Sequence, residues 1–388
     1  MNVLVWLFRK VCALLFVAAM LAGFVGFLAY DRGGRDFLVR AFPRLQPLVT
    51  QLHPHAVQMM IGCGLAAVAF FLVGGGAVAI KGRPSIVHGS AHFASWHEIW
   101  RAGFAPGRSH TRLVLGRRGV QTVAVSEARQ CEHVMLMAPT GQGKTSGVII
   151  PGLLEERGTR GLLVNDVKGE LHETCAGALG HHMSVSVFAP LRPGISVQYN
   201  PLAHVKTVED AENLAAAWVQ NTTVAREPYW NDTARLLMTA VILHLQEAEP
   251  GAPFSRLADI LGAATFDQVR VILSTSPSIL ARDLGASFLN NVSADPKLAG
   301  GLMSGMATRF LMMRNPTIRA LTSTDPDAAK NITFERLIDD PQALFLSVPA
   351  QDARRLKPLT ACLLMQLMTS LARKKGDRGF AFYLDELC

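Results

Sequence analysis

The sequence predicts an α/β fold: a parallel sheet covered by helices, broken by an all-α insertion and preceded by two apolar spans. Three observations carry this. Apolar runs of strand length alternate with helical segments from residue 134 to 189 and again from 343 to 384, the pattern of a sheet built from crossover units. Between them, from about Val208 to Arg319, the pattern is almost purely helical. Ahead of them stand two long uncharged runs. A chain of 388 residues suits two or three domains.

Val11–Tyr30 and Val57–Ile80 are each about as long as a bilayer core requires. Arg9 and Lys10 precede the first run, as they would in a cleavable signal peptide, but the run is long and no clear A-x-A site follows it. Gly62, Gly64 and Gly74 to Gly76 would let neighbouring helices approach closely in the second. Residues 1–83 therefore read as a membrane anchor, with 31–56 a short polar loop on the far side. A mean hydropathy of +0.24 agrees with attachment. The six cysteines form no C-x-x-C pair and no zinc spacing with histidine, so they read as reduced and structural.

The net charge of +8 suggests nucleic acid, but its location favours another partner. From Lys81 to Cys131 there are eight basic residues and two acidic ones, directly after the second span. From Lys206 to Arg319 ten basic residues face eleven acidic ones. An anionic membrane surface explains most of the excess. Composition alone shows no DNA binding.

After the anchor, 84–205 reads as the first part of a nucleotide-binding domain. It opens with HGSAHFASWHEI (His88–Ile99), then LVLGRRG (Leu113–Gly119) and the short apolar run Val120–Val125, small strands leading into the sheet. Next comes HVMLMAPTGQGKTS (His133–Ser146). Val134–Met137 has the apolar character of a buried strand. Ala138 to Thr145 then reads as a phosphate-binding loop, with Ala where the strict motif has its first Gly. Gly141 and Gly143 allow positive φ, so that successive N–H groups point inward at phosphate oxygens. Thr140, Gln142 and Ser146 complete the nucleotide-binding set. Lys144 can reach the β- and γ-phosphates, and the Thr145 hydroxyl can ligate Mg²⁺. A helix over Thr145–Glu156 would place its positive dipole end on the same anion. The alternative, a Gly/Thr-rich turn that happens to hold a lysine, is disfavoured by the strand before it and the helix after it.

Strand Gly161–Asp166, helix Glu170–Leu179 and strand Val185–Ala189 follow. Asp166, Lys168 and Glu170 fall at the carboxyl edge of the sheet, where ligands sit in such folds. They either touch nucleotide or a neighbouring subunit, or simply cap the next helix. Residues 206–325 read as the all-α insertion. In it Trp230–Ala248 sets Ala234, Leu237, Met238, Val241, Ile242 and Leu245 on one face. Further helices are expected at Arg256–Leu261, Asp267–Leu273, Ser278–Leu289 and Lys297–Arg314. Tyr229 and Trp230 read as a packing anchor rather than a stacking site for a ligand.

Residues 326–388 return to the nucleotide-binding domain, with strand Ala343–Val348, a helix from about Asp352 to Lys374 and strand Phe380–Leu384. Arg354, Arg355 and Lys357 open that helix, where cations oppose the dipole, and so point to phosphate contact. FAFYLDE (Phe380–Glu386) is an apolar strand ending in two acids, a Walker B pattern. Asp385 would hold Mg²⁺ through a water, and Glu386 would orient or deprotonate the attacking water. The implied cofactors are ATP and Mg²⁺, with Lys144 and Glu386 the catalytic pair.

In these stretches the chain resembles the type IV secretion coupling proteins of the TraG/TraD class. The matching segments are HGSAHFAS, HVMLMAPTGQGKTSGVIIPGLL, LLVNDVKGELHETCAG, YNPL, YWNDTARLLMTAVILHL and FYLDE, in the family's order and behind two spans. The resemblance implies a RecA-like P-loop NTPase of the bacterial inner membrane, two-pass, with its nucleotide domain in the cytoplasm and a hexameric ring as its assembly. Its implied partners are a relaxase-bound single DNA strand or effector proteins, met by the helical lobe, and a type IV secretion channel, met by the first span and loop. The family runs well past its Walker B strand, whereas this sequence stops two residues after Glu386. That leads us to expect a fragment, or the product of a truncated or frameshifted gene, with nucleotide binding retained and little or no steady-state hydrolysis. Two other readings are another RecA-like DNA translocase and a non-hydrolysing adaptor that docks substrate at the channel.

Overall fold

The computed structural model describes residues 93–104, 112–139, 141–222, 228–292, 296–374 and 378–385; before 93 it describes 32–41, 43–47 and a few single positions. The chain divides into two units, Met1–Phe93 and Ala94–Cys388. In the first, helix α1 (Arg32–Ala41) is followed by a tight turn at Pro43–Leu45. A ten-residue helix thus occupies part of the stretch expected to be loop. The two apolar runs at 11–30 and 57–80 lie outside the described residues, save for single positions. No helix among the described residues is long and apolar enough to cross a membrane.

The second unit opens with α2 (Trp96–Arg101), started by a capping box in which Ser95 and Glu98 each bond the other's backbone N–H. Strands β1 (Arg112–Arg118) and β2 (Gln121–Ser126) pair antiparallel around Gly119, and α3 (Glu127–Gln130) follows. The next expected element is absent. Residues 134–137 form no ladder with any described strand, and Met135 and Met137 are 79% and 81% exposed. An apolar run becomes a strand only where a neighbour takes up its N–H and C=O groups, and among the described residues no strand does so.

The helix beyond the glycine-rich turn, α4, is also not the regular one expected. Its first part, Thr145–Ile149, is a wide turn in which the Ile150 N–H bonds the Thr145 carbonyl, five residues back. Regular α geometry covers only Ile150–Leu154. Pro151 accounts for this: it has no N–H for the carbonyl of Gly147, and its ring crowds that carbonyl.

Strand β3 (Gly161–Asn165), α5 (Glu170–Leu179) and β4 (Ser184–Phe188) then alternate as predicted. The chain leaves the sheet for helices α6 (Val208–Asn221), α7 (Pro228–Ala248), α8 (Phe254–Gly262), α9 (Phe266–Ser274), α10 (Ile279–Val292), α11 (Pro296–Arg309) and α12 (Pro316–Leu321). The helix expected over Lys297–Arg314 ends at Arg309 and gives way to a tight turn, Leu311–Arg314. After α13 (Phe334–Asp339) come β5 (Gln342–Leu346), the long α14 (Ala350–Arg373) and β6 (Phe380–Leu384). The four strands are all parallel, in the order β4-β5-β3-β6. The excursion therefore returns to insert β5 between two strands laid down earlier.

Alternation along each strand divides the core in two. Leu162 and Val164 face α4, α5 and the β1–β2 hairpin, where Leu153, Leu171, Cys175 and Leu113 complete one cluster. Leu163 and Leu344 face the other way, into a cluster that runs without a break through α14 and into the helices of the insertion. Helix α7 is the centre of those helices. All six residues of its predicted apolar face are buried, and so are Thr239, Ala240 and Leu243, which leaves little polar surface. Trp230 packs against the cluster, while Tyr229 stays half exposed. Buried Arg309 donates to the carbonyls of Val219 (2.9 Å) and Thr222 (3.1 Å) at the end of α6 and to Asn231 on α7 (2.6 Å). A cation suits a helix carboxyl end.

Where the excursion begins, His204 packs against the rings of Phe334 (4.2 Å) and Tyr199 (5.8 Å). Burial pushes its pKa down to about 4, against the pull of Glu335. Between pH 4 and 6.5 the unfolded chain thus takes up a proton that the folded one refuses, so stability falls as pH drops through that window. The shift corresponds to roughly 3 kcal/mol. Urea unfolding at pH 7.5 and 4.5 should show a smaller acid loss in His204→Gln than in the wild type. Equal losses would mean that His204 is protonated in the folded chain.

Candidate nucleotide-binding site

At Gly141 and Gly143 φ is +80° and +73°, a region closed to most side chains. These two residues turn the chain back between Ala138 and Thr145. Lys144 folds over the turn, its Nζ donating to the carbonyls of Ala138 (2.7 Å) and Pro139 (3.1 Å). Gln142 and Ser146 are exposed beside it, and Thr140 lies outside the described residues.

Thr145, at the start of α4, meets Asp385 just past the end of β6. Its hydroxyl oxygen is 2.9 Å from both carboxylate oxygens, and its single proton serves one of them at a time. Both groups are hard oxygen donors, as magnesium prefers. Among the described residues no three His, Cys, Asp or Glu side chains gather to hold a metal. An ion between Thr145 and Asp385 would take most of its ligands from phosphate and water, the usual magnesium arrangement. The donor set therefore fits Mg²⁺. Glu386, next in the chain, is outside the described residues.

Asp166, Lys168 and Glu170 line the same narrow cleft as Thr145 and Asp385. Their chemistry differs. Buried Asp166 accepts from the backbone N–H groups of Gly169 (2.9 Å), Leu171 (3.3 Å) and His172 (2.8 Å), so its carboxylate closes the start of α5. Lys168 and Glu170 are exposed at the rim. Arg354 and Arg355 are not in the cleft. They are exposed on the first turns of α14, where Arg355 pairs with Asp352 at 3.3 Å.

A group of residues not anticipated from the sequence lies behind the cleft. The Tyr383 hydroxyl donates to Glu156 Oε1 at 2.6 Å. Arg160 donates to both oxygens of the same carboxylate (2.5 and 3.2 Å) and to Gln130 Oε1 (2.7 Å). Glu156 is fully buried and Tyr383 nearly so. Burial, reinforced by the Glu156 charge, pushes the Tyr383 phenol well above its ordinary pKa, so it stays a donor. Residues 227 positions apart leave no local signal of such a pair.

The capping role of Asp166 has a test. Asp166→Asn replaces one acceptor oxygen with an amide that cannot receive an N–H, so melting should show a loss of about 1–2 kcal/mol. Nucleotide affinity, by titration calorimetry, should stay within a factor of two. A large loss of affinity at unchanged stability would make Asp166 a ligand contact instead.

Residues 99–387 match the family described as Type IV secretory system Conjugative DNA transfer. The chain is 26% identical over 336 residues to the conjugal transfer protein TraG of Escherichia coli, covering 78% of this chain and 52% of TraG. It is 26% identical over 315 residues to VirD4 of Rhizobium radiobacter, covering 77% and 44%. It thus spans about half the length of the curated relatives it matches. Among solved structures it is similar to the plasmid coupling protein TrwB in complex with the non-hydrolysable ATP analogue ADPNP. The TM-score is 0.57 at 17% identity, over 76% of this chain and 65% of that one. Unbound TrwBΔN70 gives 0.54 at 16% identity, over 76% and 62%. The α/β fold with its parallel sheet is common to them. The chain belongs to the Type IV secretory system Conjugative DNA transfer family, as a coupling protein of the TraG/VirD4 class.

Proposed function

We propose that this chain carries the nucleotide-binding site of a membrane-anchored coupling ATPase, which recruits relaxase-bound single-stranded DNA, or effector proteins, to a type IV secretion channel. The observation that carries the reading is the contact of Thr145 with Asp385, 240 residues apart, at the foot of a loop turned by two left-handed glycines. TrwB, which shares the fold, binds ADPNP. Anchoring in the bacterial inner membrane, with the nucleotide site cytoplasmic, and assembly into a homo-oligomeric ring belong to the same proposal.

The chain's own groups then divide the work. Backbone N–H groups of the 141–145 turn, with the first turn of α4, receive phosphate oxygens. Lys144 leaves the carbonyls of Ala138 and Pro139 to meet the terminal phosphates. Thr145 and Asp385 would hold a magnesium ion, Asp385 through a water. Glu386 would orient or deprotonate the attacking water. When bound, MgATP supplies the phosphoryl group whose transfer to water drives cargo movement.

Titration calorimetry tests the reading. Lys144→Ala removes a charge-assisted bond of roughly 1.5–3 kcal/mol, so MgATP affinity should fall at least about tenfold. Asp385→Asn should weaken binding only when magnesium is present. Wild-type affinity in both variants would remove the basis for the site. For the cargo, single-stranded DNA affinity should fall with salt at a slope of about −0.7 per phosphate contacted. A flat salt response would point to protein cargo.

A further inference from the structure

Among the described strands β4 ends the sheet on the side away from β6, and its outer edge is only half covered. Ser184 donates its N–H to the Pro341 carbonyl (3.1 Å), and the Phe188 carbonyl receives the Ser347 N–H (2.9 Å). The even-numbered residues of β4 thus serve β5, and Val185 and Val187 turn their N–H and C=O groups outward. At the carboxyl half of the strand the chain returns over that edge. The Val187 carbonyl receives the Val197 N–H at 2.8 Å, and the Ala189 N–H donates to the Ser196 hydroxyl at 3.0 Å. The amino half is left open: the N–H and C=O of Val185 and the N–H of Val187 have no partner among the described residues.

A cavity of about 240 Å³ adjoins this open edge, between the amino ends of β4 and β5 and the start of α13. It is lined by the hydroxyls of Ser184, Ser186 and Thr333, the amide of Gln342 and the guanidinium of Arg336. None of these five side chains has a partner among the described residues; Thr333 stands at the start of α13 without capping it. No Asp or Glu lines the cavity. The acids that flank Arg336 on α13 are engaged elsewhere, Glu335 by Lys206 and Asp339 by Lys374. A guanidinium among neutral hydroxyl and amide groups favours a carboxylate, which it can hold through two parallel N–H bonds. Ser184 and Ser186 share one face of β4, so a strand laid along the edge would send alternate side chains to that same face.

We propose that the amino half of the β4 edge is a docking site for an extended acidic peptide segment of a partner protein. The segment adds a short antiparallel strand, one of its residues satisfying both groups of Val185, and sets a neighbouring Glu or Asp on Arg336. This site is at the opposite end of the strands from the nucleotide cleft and stands apart from the nucleotide reading. A short edge with a charge beside it is also how sheets ward off unwanted pairing, and the experiment separates the two.

The full chain is titrated, by fluorescence anisotropy, with the fluorescein-labelled peptide GTVEVTG and two relatives: GTVQVTG, and GTVEVTG N-methylated at both valines. Hydrogen exchange over 184–188 is followed with and without the first peptide. GTVEVTG should bind saturably and slow exchange over 184–188. The glutamine peptide should bind about fivefold more weakly, and Arg336→Gln should erase that difference without changing the melting temperature. N-methylation should abolish binding, because it removes the donors that the β4 edge receives. Absence of saturable binding, equal binding of the three peptides, or a glutamate preference that survives Arg336→Gln overturns the proposal. Slower exchange over 184–188 on raising the protein concentration alone also overturns it, and assigns the edge to a second copy of the chain.

Discussion

A hydroxyl on Thr145 donates to a carboxylate 240 residues further on, and that contact sets what the intervening fold has to accomplish. For it to form, β6 must lie next to β3, α4 must cross their shared face, and the chain between must depart and return without disturbing either. The strand order β4-β5-β3-β6 meets these demands. Each parallel crossover delivers its strand with the carboxyl end at one edge, so residues from distant parts of the chain collect there. Asp166, Asp385 and the turn at 141–145 meet on that edge because of the sheet's direction, not because of closeness in sequence.

The helical excursion is joined to the sheet through its packing. One apolar cluster extends from Leu163 and Leu344 through α14 to Trp218 and Phe254. Polar ties reinforce the seam: Arg373 at the end of α14 meets Asp210 at the start of α6 at 2.7 Å, and Tyr199 meets Gln366 on α14. Well-packed interiors transmit displacement rather than absorb it. A shift of β5 or α14 at the carboxyl edge would therefore be felt in α6 and α7.

What the sequence disclosed divides along a physical line. Period and composition are local, and they located β3, β4, β5, β6 and the long helices, with α7 marked by its six-residue face. The loop at 138–145 was legible because its chemistry is local too: two glycines, a lysine and a threonine in fixed order. Asp166 was legible only as two alternatives, since a carboxylate at a helix start serves a cap or a ligand equally well; its three backbone partners show the cap. The wide turn in α4 had a visible sign in Pro151, whose missing N–H argues against an unbroken helix. Tyr383 and Glu156 gave none. Each is an ordinary residue in its own segment, and only the crossing of α4 over β6 makes them a pair.

Residues 134–137 show where local reading stops. Exposure alternates along them, with Val134 and Leu136 more covered than Met135 and Met137, so the side chains keep a strand's period while the backbone has no ladder. Period reflects the residues' own shape; a ladder requires a neighbour at the right distance. The consequence reaches the loop that follows. In this structure the turn at 141–145 is not positioned by a strand entering it. It is positioned from its far side, by α4, which is fixed in turn by Gly152 against Leu113 and Tyr383, by fully buried Leu153 and by the bond from Thr145 to Asp385. A phosphate-binding loop needs one rigid flank to aim its N–H groups, and here the helix supplies it.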